Sequence, residues 1–277
     1  MGLNHKNVLG VKINVNSEEE VLEYIEKYLN LYSKKHKTYN KKTLKSLVIF
    51  TPNPEIINLA QKDPKFHQVV NTAQINIPDG AGIVWALENL YNIKISRITG
   101  IDLMEKLCRL AAEKRLRVGV IGGRGGVALK ALECLKNAYA NLSGWAEEGP
   151  FIKISNSKFL ISNQIQNTKF QKAIKQLIIK IKKEKTSIIF VGMGFPKQEY
   201  FINSVARLAS SVEFKRPLVL MAVGGAFDYI SGRVPRAPSF LRDRGLEWLY
   251  RLIREPWRIK RQLMGAQFFF DVIRHGG

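Results

Sequence analysis

The stretch IIFVGMGFPKQE, residues 188–199, joins a wholly apolar run to an abrupt glycine-rich turn and a polar helix start. Successive apolar residues are typical of a strand that is buried on both faces, as in a parallel sheet. Two glycines and a proline end the run, and Lys-Gln-Glu begins a helical pattern. The stretch therefore predicts one strand–loop–helix unit of an α/β protein.

The same unit recurs through the chain. Apolar runs that end in Gly, Pro, Asn or Asp occupy Leu47–Phe50, Ile75–Ile77, Val118–Ile121, Ile188–Val191 and Leu218–Val223. Apolar strands alternating with helices predict a parallel sheet covered on both faces. We therefore expect a Rossmann-like, doubly wound, mainly parallel α/β sheet that binds its ligand at the carboxyl ends of the strands. Upstream, Val8–Val15 predicts one extended segment before a helix capped by Asn16 or Ser17.

The composition is that of a globular and strongly basic protein. Of 277 residues 45% are hydrophobic, and 44 Lys and Arg against 23 Asp and Glu give a formal charge of +21. This charge favours an anionic partner, which can be a nucleic acid, an acidic lipid surface or a phosphorylated substrate, although plain solubility is the alternative reason for it. No apolar run approaches the ~18 residues that span a bilayer, and the first residues lack a signal-peptide core, so we expect a cytosolic protein.

Three further segments predict structure rather than chemistry. Cys108 and Cys134 fall in helical patterns without CxxC spacing, which predicts reduced core residues. Ser33–Lys45 predicts a solvated basic loop, and Ser155–Lys185 predicts a polar loop that runs into a Lys-rich helix.

The C-terminal segment 231–277 is a basic, aromatic tail, which we separate as an appendage from a catalytic domain of residues 1–230. It holds ten Lys and Arg against four Asp and Glu, and Pro256 predicts a break between two helices. A basic amphipathic helix with aromatic residues is typical of a membrane-interfacial element, whereas a core helix with a solvated face is the alternative. The tail is rich in Arg while the rest of the chain is rich in Lys, which favours phosphate binding in a defined geometry.

Polar side chains follow the first two predicted strands of the sheet. Asp79, in Pro-Asp-Gly, can act as a general base at a strand tip or can cap the turn before the next helix. Thr51 and Asn53, in Thr-Pro-Asn-Pro-Glu, can bind sugar hydroxyls or cap the helix that begins at Pro54. The pattern alone leaves both choices open.

Glycine-rich loops follow two later strands. Gly122–Gly126 can bring backbone amides and a helix N-terminus against a diphosphate, or can be a plain tight turn. The loop also matches a loose dinucleotide fingerprint with Glu147 as the only candidate ribose ligand, so an NAD-dependent oxidoreductase is an alternative. In the other loop, after Gly192, Lys197 and Gln198 can donate to sugar or phosphate oxygens, or simply begin a helix.

Several motifs are missing from the sequence. The four histidines are scattered, no Cys/His metal spacing occurs, and no Asp-x-Asp is present to hold a metal on a nucleotide-sugar diphosphate. Cationic side chains and helix N-termini must then stabilise any diphosphate leaving group, and we expect neither a metal nor a cofactor. A nucleic-acid-binding module, another alternative, predicts aromatic–basic motifs on a sheet face or a reading helix, and none is visible.

Five motifs, in this order and spacing, resemble the WecG/TagA/CpsF family of bacterial glycosyltransferases. They are TPNPE (51–55), PDGAGI (78–83), RITGID (97–102), VGMGFPKQE (191–199) and GGAFDYISGRVPRAPSFLRDRGLEWLYRLIREPWR (224–258). The last block is long and highly specific. The resemblance runs from about Asn7 to Lys260 and so covers nearly the whole chain.

The resemblance implies an inverting, metal-independent transferase. Such an enzyme moves a sugar, commonly N-acetylmannosamine from its UDP derivative, onto polyprenyl-diphosphate-linked N-acetylglucosamine in the synthesis of cell-surface polysaccharide or teichoic-acid-type polymers. Some family members transfer glucose or uronic acid derivatives, so the donor sugar is open. The expected partners are the UDP-sugar, the lipid-linked acceptor and the anionic inner face of the cytoplasmic membrane, with a homo-oligomer left open and no nucleic acid.

The resemblance also implies roles for individual residues. Asp79 matches the catalytic base, and Thr51 and Asn53 lie near the acceptor sugar. Asp228 matches a nucleotide contact, while the arginines of the appendage grip the diphosphates. We therefore expect Asp79, Thr51 and Gln198 to be catalytic. The expected substrate-binding residues are Asn53, Arg97, Gly192, Lys197, Asp228, Arg251, Arg258 and Arg261.

Overall fold

A computed structural model describes residues 2–30, 46–150, 168–212, 216–256 and 259–275. The strands are β1 (His5–Val8), β2 (Val11–Asn14), β3 (Leu47–Phe50), β4 (Ile75–Asn76), β5 (Arg117–Gly122), β6 (Ser143–Glu147), β7 (Thr186–Gly192) and β8 (Val219–Ala222). The predicted basic loop at Ser33–Lys45 and the first part of the predicted polar loop lie outside the described residues.

Twelve helices are present in the described ranges. They are α1 (Glu18–Asn30), α2 (Pro54–Lys62), α3 (Pro64–Asn71), α4 (Ala81–Tyr91), α5 (Gly100–Glu113), α6 (Val127–Ala138), α7 (Thr168–Lys183), α8 (Lys197–Ser210), α9 (Ala226–Ile230), α10 (Ser239–Asp243), α11 (Glu247–Arg254) and α12 (Ile259–His275). They alternate with the strands of the central sheet as the sequence predicts.

Six strands form one sheet in the order β4-β3-β8-β7-β5-β6, and every pair in it is parallel. The chain builds one edge with β3 and β4, crosses to β5 and β6 at the other edge, and fills the centre with β7 and β8. The predicted Rossmann-like α/β architecture is confirmed. Because all six strands are parallel, their carboxyl ends lie along a single edge of the sheet.

Strands β3 and β8 are buried at every position, which is why every residue in them is apolar. In β3, Val48 and Phe50 pack on the side of α2, α3 and α8, while Leu47 and Ile49 pack on the side of α1, α5 and α6. Cys108 is buried in the second of these layers, and Cys134 is half-buried, both as free thiols. Burial on two faces is the property of a doubly wound sheet.

Two features differ from the sequence prediction. Val8–Val15 is not one extended segment, because Leu9 and Gly10 turn the chain with positive φ and pair β1 with β2 as an antiparallel hairpin. The sheet also has an edge strand, β6, whose residues are all half-buried and therefore give no apolar run. The helix cap is as expected: Ser17 Oγ accepts from Glu20 N–H at 3.2 Å.

The C-terminal tail forms α10, α11 and α12, with the predicted break at Pro256 confirmed. Helix α12 packs against α2 and α4, and Phe268 and Val272 on that side are fully buried in the core. On its other side Leu263, Phe270 and Ile273 are largely exposed. None of the helices in the described ranges is both long and apolar enough to cross a bilayer.

Candidate active site

A cleft of about 1320 Å³ runs along the carboxyl edge of the sheet. Its walls are the loops after the six parallel strands on one side and α11 and α12 on the other. It brings together Thr51, Asn53, Asp79, Arg97, Gly192, Lys197, Gln198, Asp228 and Arg251. Arg258 lies outside the described residues, and for Arg261 the structure describes only a backbone position in α12.

Asp79 lies just beyond β4, where its carboxylate accepts a hydrogen bond from the backbone N–H of Gly100 at the start of α5. A Cβ at Gly100 would lie 3.0 Å from Thr51 Cγ2, which is tighter than ordinary packing, and 3.6 Å from Asp79 Oδ2, which is an ordinary contact, so glycine here chiefly makes room for Thr51. Asp79 does not cap α4, because the cap position is Gly80 and no side chain bonds there. The turn-capping alternative is therefore wrong.

The surroundings of Asp79 suit a general base. The pKa of its carboxyl is raised to about 7, chiefly by burial and also by the nearby Glu247 and Asp102 carboxylates, whereas Arg97 and the Gly100 N–H oppose the shift. A carboxylate with a pKa near neutrality can take a proton from a sugar hydroxyl far better than an ordinary aspartate.

Thr51 and Asn53 lie on the loop that connects β3 to α2. Thr51 is buried against Gly100, next to Asp79. Asn53 is the N-cap of α2, and its Oδ1 accepts from Ile56 N–H at 2.9 Å. The capping alternative therefore holds for Asn53, which also lines the cleft.

Two glycines, Gly122 and Gly192, allow the loops after β5, β7 and β8 to pack backbone against backbone. A Cβ at Gly122 would lie 2.3 Å from the carbonyl oxygen of Gly192, and one at Gly192 would lie 2.9 Å from that of Gly224. Neither position can hold a side chain without displacing its neighbour. Gly192 is therefore needed for the packing of the cleft floor, whether or not it also contacts a ligand.

Gln198 is fixed inside this floor at 2% exposure. Its Oε1 accepts from Gly224 N–H at 3.1 Å, and its Nε2 donates to Glu199 Oε1 at 2.9 Å. The amide thereby ties the β7 loop to the β8 loop and keeps one N–H for a ligand. Its geometry is that of a group which orders the cleft floor.

Lys197 and Arg124 supply positive charge at the same end of the cleft. Burial and then the Arg124 charge lower the pKa of Lys197, as expected for two cations that share a wall. The backbone amides of Gly125 and Gly126, at the start of α6, are bound by the carboxylate of Glu148 at 3.0 and 3.3 Å. An internal acid therefore occupies backbone amides that, in one of the two interpretations of this loop, would bind a diphosphate.

The candidate ribose ligand of the NAD-binding alternative is engaged elsewhere in the structure. Glu147 ends β6, as expected for the fingerprint, but it forms an ion pair with Lys180 at 2.6 Å. Lys180 also lies 4.1 Å from the centre of the Trp145 ring, which holds the pair at the sheet edge.

Arg251 reaches into the cleft from α11. Its guanidinium stacks 4.9 Å from the centre of the Tyr229 ring, and Nε binds Glu255 at 2.7 Å. A Cβ at Gly225 would lie 2.7 Å from Arg251 Nη2, so this guanidinium rests directly on the β8 loop. Asp228 lies beside it at the start of α9 and lines the cleft.

Sequence reasoning missed a chain of charges that joins Asp79 to the tail. Arg97 Nη2 contacts Glu247 Oε2 at 3.3 Å, Arg236 Nε contacts Glu247 Oε1 at 3.6 Å, and Arg236 Nη1 contacts Asp102 at 2.7 Å. Arg97 and Glu247 are 150 residues apart in the sequence, and nothing in the motifs that contain them indicates that they meet.

The outer part of the cleft is apolar. Trp85 of α4 packs against Phe269 of α12 with ring centres 5.1 Å apart. Exposed side chains on the same rim extend this surface outward from α11 and α12. They are Trp248, Ile259, Leu263 and Phe270.

A parallel sheet whose strand tips hold a base-like carboxylate beside several cations fits a group-transfer enzyme. Among the described residues, no three His, Cys, Asp or Glu side chains are grouped as metal ligands. The chain matches the Glycosyl transferase WecG/TagA/CpsF family over residues 6–276, and it belongs to that family of glycosyltransferases.

Curated relatives are 30–31% identical to this chain over the aligned residues. One from Bacillus subtilis (strain 168) is 30% identical over 227 residues, 82% of this chain and 79% of its own length. Others from Bacillus spizizenii and Staphylococcus aureus (strain MW2) are 31% and 30% identical, covering 83% of this chain and 80% of their own. Each is named N-acetylglucosaminyldiphosphoundecaprenol N-acetyl-beta-D-mannosaminyltransferase.

Proposed function

We propose that this chain transfers N-acetylmannosamine from its UDP derivative to polyprenyl-diphosphate-linked N-acetylglucosamine, without a metal and with inversion. The observation that carries the proposal is Asp79, a base-like carboxylate at a strand tip in a cleft with cations at one end and an apolar rim. The names of the relatives support the sugar and the lipid-linked acceptor. A glucose or uronic acid donor is the alternative within the same mechanism.

The reaction is a single displacement. Asp79 takes the proton of the acceptor hydroxyl while that oxygen forms a bond to the anomeric carbon of the donor. The bond from this carbon to the β-phosphate oxygen breaks, and its electron pair leaves with UDP. Attack opposite the leaving group inverts the anomeric configuration.

Cationic side chains take the role of stabilising the diphosphates. Lys197, Arg124 and Arg251 lie on the cleft walls, where charge that develops on the leaving oxygen can be met by fixed positive groups. Arg258 and Arg261 are proposed as further phosphate ligands from the appendage. Asp228 and Gly192 are proposed contacts of the nucleotide side.

The apolar rim suits the lipid part of the acceptor. Leu263, Phe270 and Ile273 form an exposed stripe on α12, and the tail around it is basic. Such a surface favours the anionic inner face of the cytoplasmic membrane, where it would hold the isoprenoid while the sugar enters the cleft.

The test is transfer by the purified full chain in detergent micelles. UDP-N-acetylmannosamine, UDP-glucose and UDP-glucuronic acid are each offered with polyprenyl diphosphate N-acetylglucosamine, with and without EDTA. We expect product from the first donor, of opposite anomeric configuration by proton NMR and at an unchanged rate in EDTA. Absence of product from every UDP-sugar contradicts the function, and loss of transfer in EDTA contradicts the metal-free mechanism.

A further inference from the structure

Glu247 is a half-buried acid of the appendage that lies between two arginines. Its carboxylate contacts Arg97 at 3.3 Å through one oxygen and Arg236 at 3.6 Å through the other. The side chains of Glu247, Arg97 and Arg236 are only 18%, 19% and 20% exposed, so solvent screens these contacts weakly. Arg97 and Glu247 line the same cleft as Asp79.

The same contacts join the appendage to the start of α5. Arg236 binds Asp102 at 2.7 Å, and Asp102 is held in the N-terminal turn of α5 by Thr99, whose Oγ1 donates to it. Gly100, between these two residues, donates its N–H to Asp79. The contacts that dock the appendage and the hydrogen bond that positions the Asp79 carboxylate therefore both involve the first turn of α5.

We infer that Glu247 is a positioning residue, which makes Asp79 a stronger base when α11 is docked. The inference rests on the proposed function only for the reaction in which Asp79 takes part. Glu247 itself touches no reacting atom in the proposed mechanism. It acts on Asp79 through charge and through its hold on Arg97.

Glu247 raises the pKa of Asp79 in two ways. Its own negative charge disfavours a second carboxylate nearby, and its contact with Arg97 shares a cation that would otherwise stabilise ionised Asp79 alone. Each raises the affinity of Asp79 for a proton. Without Glu247, Arg97 would stabilise the ionised form of Asp79 more strongly, and Asp79 would be a weaker base.

Other charged groups also act on Asp79. Arg97 and Asp102 are among them, together with the N–H of Gly100. Arg236, Arg242 and Glu105 lie further out, around Asp102. Arg97 and the Gly100 N–H stabilise the ionised form of Asp79, whereas Glu247 is the carboxylate with the larger opposite effect, ahead of Asp102.

The test is a titration of Asp79 in the full chain without substrates. Selective 13C labelling of aspartate carboxyls gives its pKa, and the signal is assigned by its absence in Asp79→Asn. Glu247→Gln should lower the pKa of Asp79 by roughly half a unit or more, while Glu247→Asp, which keeps the charge, should leave it near the wild-type value.

Glu255→Gln is the matched control. It removes an equally buried acid from the end of the same helix, one that pairs with Arg251 and not with Arg97. The inference is overturned if Glu247→Gln leaves the pKa of Asp79 unchanged, or if Glu247→Asp lowers it as much. Because no substrate is needed, this result stands apart from the transfer assay, whose failure would contradict only the proposed function.

Where transfer is observed, the pH dependence of kcat/KM gives a second test. The acid limb of kcat/KM should move to lower pH in Glu247→Gln by the same amount as the titration, and stay in place in Glu255→Gln. A limb that does not follow the titrated pKa would contradict the role of Glu247 in the reaction.

Discussion

The two walls of the cleft are held in different ways. On the strand-tip wall, Asp79 and Gln198 are fixed by backbone amides, and Gly122 and Gly192 press one loop onto another. The appendage wall depends on side chains, chiefly the Glu247 ion pairs and the packing of α12 on α2 and α4. The difference teaches that precise geometry comes from the sheet edge, while the appendage contributes charge and apolar surface.

The largest expected effect separates the two faces of α12. Phe268→Ala leaves a cavity in the core and should lower the free energy of unfolding by about 3–5 kcal/mol. Phe270→Ala, two positions on and 73% exposed, should change it by less than about 0.5 kcal/mol. Urea unfolding measures both.

The same pair tests the apolar rim. Phe270→Ala should weaken binding to vesicles that contain anionic lipid, since it removes an exposed aromatic from the proposed membrane face. Equal vesicle binding by this variant and the wild type would show that the exposed face of α12 has another use. Equal stability losses in the two variants would contradict the packing of α12.

An intermediate effect is expected at Arg251 in the appendage wall. Arg251→Lys keeps the charge but loses the planar guanidinium that stacks on Tyr229 and can bind phosphate through two N–H groups. We expect kcat/KM to fall about 10–100-fold, or about 1.4–2.7 kcal/mol. Steady-state kinetics check this.

Arg254→Lys is the control for that change. Arg254 lies three residues further on in α11, is exposed, and does not line the cleft. Its replacement should alter kcat/KM less than about twofold, because surface substitutions have small effects. A loss as large as that of Arg251→Lys would mean that the appendage acts through overall charge and not through a defined contact.

The smallest effect concerns stability at the strand-tip wall. Because the pKa of Asp79 is raised to about 7 in the folded protein, the folded state binds this proton more tightly than the unfolded chain does. The wild type therefore loses stability as the pH rises from about 4 to about 7. Asp79→Asn should be more stable at pH 8 by on the order of 1 kcal/mol, after allowance for the open cleft, and equal near pH 4.

Denaturation at these two pH values gives the check. A variant that is less stable than the wild type at pH 8 would show that the carboxylate contributes to folding. That result would contradict a raised pKa for Asp79.

The sheet and the strand-tip wall could be predicted from the sequence for a physical reason. Strands buried on both faces are apolar throughout, and glycines mark where the chain turns at their ends. This places Asp79, Thr51 and Gln198 on one edge before any contact is known. The edge strand β6 could not be found in this way, because half-burial leaves it polar at Ser143 and Glu147.

The appendage wall was less accessible to prediction. Its basic, aromatic composition is evident in the sequence, but such a composition fits both a membrane-facing helix and a core helix. In the structure, α12 has one face buried in the core and one exposed apolar face. The contacts of Glu247 with Arg97 and Arg236 depend on how distant segments fold together. Local spacing carries no information about such contacts.

The most direct test of the account is transfer by Asp79→Asn, with UDP binding measured in parallel by calorimetry. The account predicts that kcat falls by about 10²–10⁴-fold, the usual contribution of a general base, while UDP binds as it does to the wild type. The change of one oxygen to nitrogen leaves the shape of the cleft intact. Near-normal turnover in a folded Asp79→Asn protein would contradict the account, because the strand-tip wall would then lack its base.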